Sequence, residues 1–321
     1  MDIIMLIGGL LLILAGANFM TDGSASVARR MGLSDFIVGL TIVSMMTSAP
    51  ELVVSITSAV NQAPSMAVGN IVGSNIFNIL IIIGLVAVIK PIKVENGLLY
   101  NEIPLVILSS LVLLTMGSSP ILDGTPMTLT RVDGILLLFF FIIFMRYTIA
   151  SAKKTDPAPT QTKEQQCKKE MPLWRALIFI FGGLAALVFG GEWFVDGATG
   201  LARSMGWSEG LIGLTILAAG TSLPELATSI AAAIKGFPGL CVGNVIGSNI
   251  FNIFFVLGAT STILPLSFGN IGIADLLVLA AASLIFWIFG WFFSNKTINR
   301  IEGLLMVLSY IAYIAWKIAN Q

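Results

Sequence analysis

The sequence predicts an all-α membrane protein of ten transmembrane helices, built as two inverted-topology repeats of five. Three observations carry that prediction. Of the 321 residues, 56% are hydrophobic and only 11% are charged, against about 25% charged in an average soluble domain. The apolar residues fall into ten runs, each near the roughly 17–25 residues that cross a hydrocarbon core of about 30 Å. Finally, the segment GNIVGSNIFNI, Gly69–Ile79, returns as GNVIGSNIFNI, Gly243–Ile253, with nine of eleven positions identical.

The first run, 3–20, has no basic segment before it and no clear A-x-A cleavage site, so it reads as a retained span rather than a signal peptide. Runs at 35–60, 65–89, 102–117 and 130–150 complete a first five-helix repeat, residues 1–150. The stretch SAKKTDPAPTQTKEQQCKKEMP, residues 151–172, is rich in Pro, Gln and Lys and lacks apolar periodicity. It reads as a hydrated linker. Runs at 173–192, 209–234, 239–263, 273–293 and 301–319 make the second repeat, residues 173–321. Trp174, Trp193, Trp207 and Trp316 lie near run ends, as interfacial anchors do. Formal net charge is zero, which leaves no bulk basic character to attract nucleic acid. Cys167, in the linker, and Cys241, in an apolar run, form no disulfide pattern.

Orientation follows from the basic residues, which concentrate on the cytoplasmic side. With the N-terminus outside, the cytoplasmic connections hold Arg29, Arg30, Lys90, Lys93, Arg146, Lys153, Lys154, Lys163, Lys168, Lys169, Arg175, Lys235, Lys296 and Arg300, 14 of the 17. Only Arg131, Arg203 and Lys317 fall outside. One missed span would scramble that split. Both termini are expected outside and the linker in the cytoplasm.

A shift of 174 residues aligns far more than the eleven-residue segment. Thr47–Leu52, TSAPEL, meets Thr221–Leu226, TSLPEL; Val38–Ile42 meets Ile212–Ile216; Asp22-Gly23 meets Asp196-Gly197; Pro64 meets Pro238. The shift covers five spans. An odd number turns the second copy upside down, and inverted repeats that share a midplane site are a secondary-transporter architecture.

Glu51 and Glu225 are the acidic residues most clearly placed inside spans. A charged side chain at the bilayer centre costs about 2.5–3.5 kcal/mol on insertion scales. No Lys or Arg lies in the core of a span and the chain has no His, so a bound cation or a proton is the expected partner. The neighbours point to a metal cation. Thr47 and Glu51 share a helix face at i and i+4, Ser48 lies between them, and Pro50 breaks the helix and frees main-chain oxygens. Thr221, Ser222, Pro224 and Glu225 repeat the arrangement. Ser74 with Asn78, and Ser248 with Asn252, are further i, i+4 pairs. All are hard oxygen donors, suited to Na⁺ or Ca²⁺ rather than Zn²⁺ or Cu⁺.

Plainer roles fit other positions. Gly69-x-x-x-Gly73 and Gly243-x-x-x-Gly247 are close-packing patterns. Asp22 and Asp196, at predicted span ends, read as caps or loop charges. Asn75 and Asn249 lie off the Ser/Asn face; holding the helix break by hydrogen bonding is one reading of them. No H-E-x-x-H and no catalytic dyad occurs, so an enzyme is not expected.

The paired T-S-x-P-E and G-N-x-x-G-S-N-x-F-N segments resemble the two α-repeats of the cation/calcium antiporters, most closely the prokaryotic sodium/calcium exchangers. The resemblance covers all ten spans. It implies exchange of Na⁺ for Ca²⁺ by alternating access in a prokaryotic inner membrane, with no cofactor, the lipid bilayer and the two ions as partners, and a monomer sufficing. Carried over by position, the ligands are Thr47, Ser48, Glu51, Ser74, Asn78, Thr221, Ser222, Glu225, Ser248 and Asn252, with main-chain carbonyls at Ser44 and Ala218. Two positions depart from the family pattern. Met46 stands where a glycine is usual, and Asn252 stands where some exchangers carry Asp. The site then holds two formal negative charges, which one Ca²⁺ or two Na⁺ would neutralise. Stoichiometry, oligomeric state, coupling to H⁺ or K⁺ in place of Na⁺, and transport of another divalent cation in place of Ca²⁺ stay open at this point.

Overall fold

The computed structural model describes residues 1–94, 96–122, 124–152, 171–206, 218–292 and 296–319. Among these, nine helices are long and apolar enough to cross a membrane. They are α1 (Asp2–Met31), α2 (Asp35–Val60), α3 (Pro64–Ile89), α4 (Leu98–Gly117), α5 (Arg131–Ala152), α6 (Leu173–Ser204), α8 (Pro238–Ile263), α9 (Ile273–Phe292) and α10 (Arg300–Ala319). Between α6 and α8 lies the shorter apolar helix α7, Leu223–Ile234, preceded by a helical turn at Ala218–Gly220. The first part of the predicted seventh span, 209–217, lies outside the described residues. So do Trp207, Cys167 and most of the predicted linker, 153–170.

Two helices outrun their predicted spans. α1 has 30 residues and α6 has 32. The sequence turns polar after Met20, with Thr21, Asp22, Ser24 and Ser26, and that reads as the end of a span. Inside the protein these polar residues are buried: Thr21, Ser24 and Ser26 are at 0% exposure, and Thr21 Oγ1 donates to the Ala17 carbonyl at 2.7 Å. Asp22 and Asp196 therefore sit within helices rather than at caps, and Asp22 pairs with Lys235 at 2.8 Å. α1 stops at Gly32, whose left-handed φ of 63° lets its amide reach back to the last carbonyls.

The described chain forms two compact units that interleave the sequence. One takes Met1–Thr47 and Phe144–Gly247. In it α1 and α6 run antiparallel on a seam of glycines spaced by seven: Gly9, Gly16 and Gly23 on α1, Gly183, Gly190 and Gly197 on α6. A Cβ on Gly16 would lie 2.7 Å from the Gly183 carbonyl oxygen, and one on Gly183 would lie 2.7 Å from the Gly16 carbonyl oxygen. Only hydrogen fits where backbones approach so closely. The same unit packs α8 on α2, where a Cβ at Gly243 would meet the Phe36 carbonyl oxygen at 2.3 Å.

The other unit takes Ser48–Ile143 and Ser248–Gln321. α3 crosses α10 at Gly84 and Gly303, where a Cβ on either would fall within 2.8 Å of the other's carbonyl oxygen. α5 crosses α8 at Gly134, whose Cβ would meet the Thr262 amide at 2.7 Å. Two short antiparallel ladders, not foreseen in the sequence, tie the connections together. Strand β1 (Ile92–Lys93) pairs with β4 (Thr297–Ile298) in the register Ile92↔Ile298, and β2 (Thr128–Leu129) pairs with β3 (Leu266–Ser267) in the register Thr128↔Ser267.

Candidate functional site

The proline-containing motifs break their helices as expected, and alike. Ser48 (φ −83°, ψ 3°) and Ser222 (φ −92°, ψ 6°) sit at the N-caps of the helices that carry Pro50 and Pro224 in their first turns. Proline brings no N–H, so the carbonyls of Met46 and Gly220 lose the donor four residues on. The ladders restart with Leu52 N–H donating to the Ser48 carbonyl and Leu226 N–H to the Ser222 carbonyl, at 3.2 and 3.0 Å. The Ser222 amide donates to the Ala219 carbonyl, three residues back rather than four. The missing glycine at Met46 does not prevent the break; its side chain packs against Val27, Ala176 and Ile180.

In the first unit, α2 delivers Ser44 and Thr47 and α7 delivers Ser222 and Glu225, all at most 1% exposed. Thr221 is half-buried. The Ser222 hydroxyl oxygen is buried without a hydrogen-bond partner. Ser44 Oγ donates to the Leu40 carbonyl at 2.8 Å, leaving its lone pairs available. Gly247 of α8 lies directly against this turn: a Cβ there would sit 2.4 Å from Ser44 Oγ. Ala218 opens the helical turn before α7. One residue here escaped the sequence reading. Asn244 accepts from Thr47 Oγ1 through Oδ1 and donates through Nδ2 to Ser229 Oγ, both at 3.1 Å, and so holds Thr47 in place. Its recurrence as Asn70 in the first copy was the available signal.

In the second unit stand Ser48 and Glu51 of α2, Ser74 and Asn78 of α3, and Ser248 and Asn252 of α8, all at most 1% exposed. Four asparagines join α3 to α8. Asn75 Nδ2 donates to the Asn249 carbonyl at 3.1 Å, Asn78 Nδ2 donates to Asn249 Oδ1 at 3.3 Å, and Asn252 Nδ2 donates to Asn75 Oδ1 at 3.1 Å. The last two bonds are each other's image under the 174-residue shift. They commit one donor from each of Asn78 and Asn252, and both Oδ1 atoms remain buried with no hydrogen-bond partner. Asn78 also begins a π-helical stretch, Asn78–Ile83, matched in α8 by Phe251–Leu257. Such stretches disturb the backbone ladder and recur at functional sites. Asn75 and Asn249 thus bond across helices, rather than holding the proline breaks.

The chemistry on offer is oxygen only. Among the described residues no three His, Cys, Asp or Glu cluster as a metal centre. What is buried in the first unit is the Glu225 carboxylate with the hydroxyls of Ser44, Thr47 and Ser222, and in the second the Glu51 carboxylate with Ser48, Ser74, Asn78, Ser248 and Asn252. A buried carbonyl-type oxygen without a donor is costly, typically about 1–3 kcal/mol, unless a cation completes it. Hard cations bind such oxygens.

A family model described as "Sodium/calcium exchanger protein" matches residues 1–150 and 175–319. CaxA of Alkalimonas amylolytica is 40% identical over 312 residues, 95% of either chain. The sodium/calcium exchanger MaX1 of Methanosarcina acetivorans is 28% identical over 345 residues, 98% of this chain and 97% of that one. Solved structures of the sodium-calcium exchanger NCX_Mj superpose with a TM-score of 0.82 at 32% identity, covering 98% of this chain and 97% of that one. With both halves matched by the family model and the fold shared end to end, the chain belongs to the sodium/calcium exchanger family.

Proposed function

We propose that the protein exchanges Ca²⁺ for Na⁺ across the membrane by alternating access at a midplane site of oxygen ligands. The observation that carries this reading is the pair of amide oxygens on Asn78 and Asn252, buried without donors while one donor from each amide is tied across α3 and α8. To them the reading adds the hydroxyls of Thr47, Ser48, Ser74, Thr221, Ser222 and Ser248, the carboxylates of Glu51 and Glu225, and the carbonyls of Ser44 and Ala218. The family match and the likeness to NCX_Mj favour sodium over a proton as the coupling ion.

Electrostatics explains why such a site would exchange rather than leak. Two carboxylates facing low dielectric are expensive to carry bare. One Ca²⁺ or two Na⁺ neutralises them, and the loaded site can then change sides. The empty site, with its two charges, cannot do so cheaply, so outward movement of one ion species is tied to inward movement of the other.

The reading includes ten spans in two inverted repeats. The two β ladders support that count. β1 and β4 can pair only if they emerge on the same side, which needs an even number of crossings between them. Counting the segment that ends in α7 as a span gives that even number, and the same parity holds for β2 with β3. The distribution of basic residues supports a cytoplasmic side for β1, β4 and the linker, with both termini outside.

The test is calcium uptake into proteoliposomes. Vesicles loaded with Na⁺ and diluted into Na⁺-free medium should accumulate ⁴⁵Ca²⁺, and K⁺-loaded vesicles should not. Uptake that follows a proton gradient and ignores sodium would overturn the reading.

A further inference from the structure

Asn75 and Asn249 have no place among the ligands just proposed, yet both are at most 1% exposed and sit at the centre of the asparagine cluster. Each faces the ligand-bearing residue of the opposite helix. Asn75 Oδ1 accepts from Asn252 Nδ2 at 3.1 Å, and Asn249 Oδ1 accepts from Asn78 Nδ2 at 3.3 Å. A third bond, from Asn75 Nδ2 to the Asn249 main-chain carbonyl at 3.1 Å, fixes the amide of Asn75 with its oxygen toward Asn252, whereas Asn249 Nδ2 is buried with no hydrogen-bond partner.

An amide has two unlike ends. Rotated by half a turn about its last torsion, Asn presents NH₂ where it had presented oxygen, and the two ends occupy nearly the same volume. For a cation the difference is decisive: one end is a ligand and the other a repelling partial positive charge. An asparagine ligand therefore needs something to hold it oxygen-inward. A carboxylate does not, because its two oxygens are alike.

We propose that Asn75 and Asn249 are positioning residues that select the oxygen-inward rotamer of Asn252 and Asn78, crosswise between α3 and α8. The acceptor oxygen of each captures the NH₂ group of its target, and the remaining Oδ1 is left as the buried, unbonded acceptor seen at both Asn78 and Asn252. Because the bonds cross between helices, each ligand's orientation depends on a residue of the opposite helix. This inference rests on the cation-exchange reading for the identity of the site.

The test is a double-mutant cycle read as cation-dependent thermal stabilisation of purified full-length protein in detergent, with Ca²⁺, Na⁺ and K⁺ titrated separately. Asn75→Leu keeps the side chain's size and removes the acceptor. It should weaken Ca²⁺ binding about tenfold, the scale of one lost buried hydrogen bond. Asn252→Asp supplies a ligand that needs no orienting, so adding Asn75→Leu to it should change Ca²⁺ affinity less than twofold. Asn249→Leu should act in the same way, relieved by Asn78→Asp. Equal loss in the amide and carboxylate backgrounds would show a purely structural role and overturn the inference while leaving the exchange reading intact. Wild-type affinity in Asn75→Leu would overturn it as well. If none of the three cations stabilised the unaltered protein, both readings would fall together.

Discussion

Glu51 and Glu225 are sealed from solvent at 0% exposure, and each is the only carboxylate in its T-S-x-P-E motif. Replacing either with Gln keeps size and hydrogen-bonding capacity and, on the proposed ligand set, removes half of the charge offered to a divalent ion. Truncating one partner of a buried charge pair costs about 2–5 kcal/mol. Glu51→Gln and Glu225→Gln should therefore each abolish ⁴⁵Ca²⁺ uptake in proteoliposomes while the protein still inserts and elutes as a monodisperse species. Near wild-type flux in either variant would remove that residue from the site. At this scale the sequence made legible which polar residues are buried: the repetition of the T-S-x-P-E and G-S-N-x-F-N segments marked them, and the repeated Glu, Ser and Asn of both segments are at most 1% exposed. Asn75 and Asn249 carried the same mark, but their roles depended on which helix they face. Linear spacing holds no information about the facing helix, so the crosswise bonds could not be read from it. Asn244 was hidden for the same reason, since its partners Thr47 and Ser229 lie on α2 and α7.

Among the helices, glycine decides how closely the backbones approach. The α1–α6 seam repeats every seven residues on both helices, and the 174-residue shift maps Gly9, Gly16 and Gly23 onto Gly183, Gly190 and Gly197. The four-residue glycine spacing at Gly243 and Gly247 announces itself as a packing motif, whereas a seven-residue spacing reads as scattered glycine until a partner is known. Span length was misread for a related reason, because the buried Thr21, Ser24 and Ser26 look like a helix leaving the membrane. The seam predicts a sharp contrast between neighbours. Gly183→Val would push side-chain carbon into the Gly16 carbonyl and the Met20 amide, both at 2.7 Å from a Cβ. Overpacking of this kind costs about 1–3 kcal/mol, and two unyielding backbone atoms put this case at the upper end. The melting temperature in detergent should fall by several degrees. Gly182→Ala, one residue away with no atom within 4 Å of its Cβ, should melt at or above wild type because alanine is the better helix former. Equal destabilisation by both would mean that backbone flexibility, rather than close approach, sets the need for glycine.

For the whole chain, side of emergence and net charge of the loaded site are the two quantities that govern transport. The first is checked by labelling. In a Cys167→Ser background, with Cys241 buried, cysteines at Lys90 and Lys296 should react only from the cytoplasmic side, and cysteines at Thr125 and Asn270 only from outside. A split within either pair would break the parity on which ten spans and inverted repeats rest. The second follows from the amides at Asn78 and Asn252. On the proposed ligand set, two carboxylates against one Ca²⁺ or two Na⁺ would leave each loaded state close to neutral, and a neutral site crosses low dielectric at least cost. Exchange of one Ca²⁺ for two Na⁺ moves no net charge. Calcium flux in vesicles clamped at two potentials with a potassium ionophore should then differ little. Each elementary charge moved through the full potential is worth about 2.3 kcal/mol per 100 mV, so a single uncompensated charge would be plain in such a measurement. Asn252→Asp adds a third negative charge, favours a third cation, and should make the flux rise steeply with an inside-negative potential when sodium enters. Strong voltage dependence in the unaltered protein would mean that a third Na⁺ is carried against only two carboxylates, and the neutrality argument would fail at that point.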